Sequence, residues 1–311
     1  MLLEKLITPK PKTTLYFIVF SLIFLTIPII KNYSFDFFNS SQYGVFFFLA
    51  SAFFILLHAF GLNNLIYKND VIKKENLIIA TVFVLLNTFN LQASINLFSS
   101  FLMLFFLNYL LESYQKEYPF NEIFCSSFIL SVIIIINPVL IIMYVLFIIC
   151  SLVFSYSNWR SYFVSFLGLC MPWIFYFMYI SVAGQKFDLN LIYTVSSISF
   201  KDLEIINLLK NHQNVFIIFG LITLISILEF FNWLYKKSIR SRKSFFIILA
   251  YLILSIVISC FGSTYQWYIV ITPLSILIAN YFTYTKKRNL ANILFYVFIF
   301  TSFYYRWNIM I

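Results

Sequence analysis

Charge is scarce in this chain. Lys, Arg, Asp and Glu make up 10% of its 311 residues, while 62% are hydrophobic and 22% aromatic. A soluble domain has nearer a quarter charged and half apolar residues. No polar block of domain size interrupts the apolar runs, which excludes a separate soluble catalytic or DNA-binding module. The four cysteines, Cys125, Cys150, Cys170 and Cys260, all sit inside apolar runs, with no C-x-x-C pair and no His at ligand spacing. Neither a disulfide framework nor a metal site is expected from them; they read as small packing residues. No P-loop, G-x-G-x-x-G, H-E-x-x-H or G-x-S-x-G is present. Nucleotide hydrolysis, zinc proteolysis and an elbow-type serine hydrolase therefore lack local support. The sequence points to no particular cofactor.

What is present is an all-α, polytopic membrane pattern. Uncharged or nearly uncharged stretches recur at 14–30, 43–62, 77–86, 94–111, 123–136, 139–154, 162–182, 215–234, 245–261, 268–284 and 290–304. They predict a single integral membrane domain over 1–311, a bundle of eleven helices, with nine to twelve as the range. The basic segment 1–13 precedes the first span; no A-x-A-like cleavage site follows that span, so a retained helix is expected. Two pairs lack a charged loop between them. Residues 77–111 as one helix would be about 52 Å long, far beyond a hydrocarbon core of about 30 Å. Asn87, Asn90 and Gln92 interrupt that run, and Asn137-Pro138 interrupts the next pair. Both breaks predict short hairpins.

The net charge of +10 has its explanation in topology. Nucleic-acid binding needs a contiguous basic face, whereas these Lys and Arg residues form short clusters between apolar runs. With the N-terminus inside, sixteen basic residues fall on the cytoplasmic side and five, Lys31, Lys186, Lys201, Lys210 and Arg306, on the other. The bias predicts a cytoplasmic N-terminus and a periplasmic C-terminus, and no nucleic-acid partner. The segment 184–213 is the one long outer loop. Ser199 and Asp202 resemble a capping box, and Leu203, Ile206 and Leu209 share a face. A short amphipathic helix is expected there, lying in the membrane interface or closing the top of the bundle.

Polar groups within lipid are costly, so each one raises a question. Glu229 lies two turns before a basic cluster and has a lysine or a neighbouring helix as its expected partner; His58 reads as a hydrogen-bonded or interfacial histidine. The outer helix ends are richer: Asp36 in the first outer loop, Asn87 and Asn90 between the third and fourth spans, Asn137 at the fifth-to-sixth turn, Gln266 and Arg306 around the last spans. These are expected to converge on one outer cavity, with Lys201 and Lys210 of the long loop as further anion-binding groups. Asp36 is the best-positioned acid for a general base.

From residue 77 onward the order of elements resembles the fold-type C glycosyltransferases. IIATVFVLLNTFNLQASINLFSSFLMLFFL is similar to their third and fourth helices, joined at the outer face. SFILSVIIIINPVLIIMYVLFIICSLVFSYSNWRSYFVSFLGLCMPWIFYF is similar to their hairpin, inner basic turn and seventh helix. STYQWYIVITPLSILIANYF resembles the late helix beside the substrate cavity. SNWRSY and TPLSILIANYF also resemble an uncharacterised family of polytopic inner-membrane proteins from Bacteroidota, over most of the chain. The resemblance implies a bacterial inner-membrane protein. If it extends to activity, it implies transfer of a sugar from a polyprenyl phosphate at the periplasmic face, with Asp36 in the catalytic loop and Asn87, Asn90, Asn137, Lys201, Lys210, Gln266 and Arg306 toward the substrate. The first outer loop is shorter than in those enzymes and holds one acid. Two other functions stay open: a non-catalytic subunit or scaffold that packs against other envelope proteins, and a carrier of lipid or small molecules.

Overall fold

The structure is a computed structural model and describes residues 2–31, 44–87, 95–184, 213–261 and 267–308. The described residues contain helices and turns and no strand. In chain order the α-helices are α1 (Leu2–Ile7), α2 (Pro11–Lys31), α3 (Gly44–Lys68), α4 (Ile78–Leu86), α5 (Ile95–Glu112), α6 (Phe120–Ile136), α7 (Tyr144–Val153), α8 (Trp159–Val182), α9 (Gln213–Leu234), α10 (Ile239–Phe261), α11 (Trp267–Tyr284) and α12 (Arg288–Asn308). A 3₁₀ turn, Pro138–Met143, joins α6 to α7. The expected interfacial helix in 184–213 lies outside the described residues.

Among the described residues, five helices contain a stretch long and apolar enough to cross a bilayer: Leu49–Lys68, Trp159–Val182, Ile217–Leu234, Ile239–Ser259 and Trp267–Tyr284. The chain is an all-helical membrane bundle. Phe120–Ile136 and Pro138–Val153 are apolar but shorter. The nine residues of α4 rise only about 14 Å, less than half the hydrocarbon thickness. All nine are buried. A helix that is apolar all round belongs in an interior, and α4 is packed by α1, α2, α3 and α12.

The breaks follow local chemistry. Asn87 ends α4: its backbone N–H donates to the carbonyls of Phe83 and Val84, and its side-chain amide donates to Phe83 O at 2.7 Å. Asn137 is extended, and Pro138 starts the 3₁₀ turn where it has no N–H to offer. At the end of α3, Val71 N–H donates to Ile66 O and Asp70 N–H to Tyr67 O, with Asp70 at φ 55°. That is a Schellman ending with aspartate in the left-handed position.

The chain clusters into two compact units. The first comprises Met1–Leu97, Ile205–Lys237 and Ile271–Ile311; the second comprises Phe98–Glu204 and Ser238–Val270. Within the second, α6 and α8 form the closest helix pair. Ser161, Ser165, Gly168 and Pro172 make the buried stripe of α8, and small residues let helix backbones approach closely in lipid. Ser131 Oγ donates to Leu169 O across that seam at 2.6 Å. Around the rest of α8, Phe163, Phe166, Phe175, Met178 and Val182 are exposed.

Candidate functional site

Among the described residues, Arg306 and Asn87 are the two expected site residues that the fold brings together. Arg306 comes from the last two turns of α12, yet it is 1% exposed. Its Nη1 donates to Asn87 O at 3.2 Å and its Nη2 to Leu25 O at 3.1 Å. Asn87 caps the C-terminus of α4, where unsatisfied carbonyls give a partial negative charge, so a guanidinium is electrostatically matched to it. Phe24 lies 5.7 Å from the guanidinium carbon, and Phe303 packs against Phe24 at 5.0 Å and Phe20 at 5.4 Å. Backbone carbonyls and phenyl rings thus surround Arg306. Asn137 belongs to the second unit, 7% exposed, with its N–H on Ile133 O. Asp36, Asn90, Lys201, Lys210 and Gln266 lie outside the described residues.

His58 is buried, sharing a 3.3 Å hydrogen bond between Nε2 and Thr272 Oγ1. Its ring lies 4.4 Å from that of Phe83. The hydroxyl and the ring together account for a histidine within a span, in line with the structural reading of it. Glu229 makes no ion pair among the described residues, so the basic cluster two turns on is not its partner. No group of three or more His, Cys, Asp or Glu side chains suited to a metal ion occurs among the described residues.

A cavity of about 490 Å³ lies within the first unit, toward the end opposite Arg306. It is formed by Lys5 and Leu6 of α1, Thr13, Tyr16, Phe17 and Phe20 of α2, Thr81 of α4, and Tyr296 and Ile299 of α12. That volume is in the range of small-molecule sites, roughly 300–1,000 Å³. Tyr16 is 69% and Tyr296 51% exposed, so two phenol rings stand at the edge of the opening. Thr81 Oγ1 donates to Leu77 O at 2.6 Å, which satisfies the hydroxyl within its own helix and leaves its methyl to line the wall. Lys5 is the one cation among the described lining residues. The lining is mostly apolar and aromatic, with the lysine as its charged member.

Sequence reasoning takes 1–13 as a basic tail and misses this cavity. A signal exists in LLEKLI: Leu3 and Leu6 recur at helical spacing, and both are buried, at 1% and 8% exposure. Leu77 N–H donates to Leu6 O at 2.9 Å, so α1 is fastened to the start of α4.

The chain belongs to a family of unknown function, DUF6427, which it matches over residues 2–311. No curated protein and no solved structure matches it.

Proposed function

We propose that this protein is an integral membrane subunit that holds an amphiphilic lipid with an anionic head group, and does no chemistry of its own. The observation that carries this reading is the cavity bounded by α1, α2, α4 and α12. Its aromatic wall of Tyr16, Phe17, Phe20 and Tyr296 suits a hydrocarbon tail, and Lys5 suits a phosphate at the tail's head. A polyprenyl phosphate is the lipid class that the glycosyltransferase resemblance favours. On the charge bias of the loops, the cavity opens toward the cytoplasmic half of a bacterial inner membrane, with the N-terminus inside. The aromatic-rich exposed face of α8 supports a place among other envelope proteins.

The test is photolabelling of the purified protein with a diazirine-bearing polyprenyl phosphate. Lys5→Gln and Thr13→Trp should each lower labelling about tenfold, a loss of roughly 1.4 kcal/mol of binding, with peptide adducts mapping to α2 and α12. Labelling that neither substitution changes would refute the reading.

A second reading, glycosyl transfer from such a lipid at the periplasmic face, is favoured by the two helix breaks. Asn87 and Asn137-Pro138 end α4 and α6 where the resemblance needs its hairpins. Here Asp36 would take the proton from an acceptor hydroxyl. Asp36→Asn in a folded protein should then abolish transfer from a polyprenyl-phosphate sugar; transfer at the wild-type rate would dismiss this chemistry.

A further inference from the structure

Away from the cavity, the end of the first unit where α9 and α11 stop gathers basic and aromatic side chains. Lys237 Nζ lies 3.4 Å from the ring centre of Tyr284 and 4.1 Å from that of Trp233. The two rings are themselves 4.9 Å apart. Lys74, from the turn between α3 and α4, puts its Nζ 5.8 Å from the same Tyr284 ring. Lys73 donates its backbone N–H to Tyr284 Oη at 3.2 Å, which ties that turn to the end of α11. The ammonium groups of Lys74 and Lys237 and the backbone N–H of Lys73 thus meet at one tyrosine.

The charges around them are not balanced. Among the described residues no carboxylate lies within ion-pair distance of Lys73, Lys74 or Lys237. Glu75 is exposed beside them in sequence, and Glu229 is one turn up α9 from Trp233. Lys286, Lys287 and Arg288 follow Tyr284 after Thr285 and line an open hollow of about 460 Å³. Arg288 is held there by donating to Phe282 O and Thr283 O at 3.3 and 3.2 Å, the last carbonyls of α11. Gathering like charges costs free energy that a bound anion offsets. Trp and Tyr beside lysine at helix ends is the composition of a membrane–water interface, and clustered basic residues there attract anionic lipid.

We infer that the Lys73, Lys74, Lys237 corner, with Trp233 and Tyr284 as its floor, is a binding site for the phosphate of an anionic phospholipid head group. The phosphodiester accepts hydrogen bonds from the three ammonium groups, while the glycerol backbone rests on the indole and phenol rings. The site is distinct from the α1–α2 cavity and shares no residue with it.

The experiment uses the full-length protein in nanodiscs of phosphatidylcholine alone or mixed with phosphatidylglycerol, with melting temperature and lipid retention by native mass spectrometry as readouts. Phosphatidylglycerol should raise the melting temperature of the wild type and of K116Q, a control in the second unit. The K73Q/K74Q/K237Q triple variant should lose that rise and retain phosphatidylglycerol about tenfold less well. In phosphatidylcholine alone the triple variant should melt at or above the wild-type temperature, since repulsion is relieved; this shows that it folds. Retention of the lipid effect by the triple variant would overturn the assignment. So would equal stabilisation by inorganic phosphate at matched ionic strength, which would point to a soluble anion.

Discussion

Arg306 and Asn87 stand 219 residues apart in the chain and meet through a 3.2 Å hydrogen bond from a buried guanidinium to a helix-ending carbonyl. Arg306 joins three helices of the first unit, because its other terminal nitrogen reaches Leu25 O on α2. Replacing it with leucine leaves two buried carbonyls without this donor, at about 1–3 kcal/mol each. Arg306→Leu should therefore lower the melting temperature in detergent sharply. Arg306→Lys should fall between, since a single ammonium lacks the fork that spans both carbonyls. If both variants melted with the wild type, the guanidinium would have no structural role.

Gly168 sets the spacing of α6 and α8. A Cβ at that position would meet Ser127 Oγ at 2.2 Å and Phe124 O at 2.8 Å. Gly168→Ala should cost about 1–3 kcal/mol by forcing the helices apart. Ser127→Ala removes the hydroxyl but leaves the Phe124 carbonyl in the way, so the double variant should recover only part of the loss. Full recovery would mean that the backbone contact does not matter.

Lys237 should make stability depend on pH. Burial, together with the charges of Lys73 and Lys74, lowers its pKa from the ordinary 10.5 to about 8. Between those values the unfolded chain holds a proton that the folded chain has released, so stability rises with pH across that window. Below about 8 the lysine is charged in both states and its penalty is complete. Melting curves at pH 7.5 to 10.5 should show this rise in wild type and a shallower one in Lys237→Gln. Identical slopes would mean that the lysine is not perturbed.

Thr272→Val removes the hydroxyl that shares the hydrogen bond with His58 Nε2. A loss of about 1 kcal/mol is expected for such a bond, read as a lower melting midpoint, with lipid photolabelling unchanged. Loss of labelling without loss of stability would instead make the histidine part of the binding machinery.

The helix boundaries were legible because a chain in lipid must satisfy its backbone within each helix, so apolar runs and helices coincide. Asn87 and Asn137-Pro138 broke two of those runs in the expected places for the same reason. The length of α4 shows the limit of that logic: an apolar run reads alike whether it crosses the membrane or is wrapped by other helices. Arg306 was visible as a costly cation, but not its partners, since carbonyls of Leu25 and Asn87 are backbone atoms that no residue type announces. The lysine corner was hidden differently. Lys74 and Lys237 each look like ordinary loop charge until the fold carries both to Tyr284.

The bond from Leu77 N–H to Leu6 O has a consequence for biogenesis. When α1 leaves the ribosome its acceptor has no mate, and α2 and α3 must be synthesised before Leu77 emerges. Until then the opening residues wait as an unanchored flap, open to proteases and chaperones. A bulky fusion ahead of α1 would hinder that late latching, leaving the spans threaded and the cavity without the wall that Lys5 and Leu6 supply.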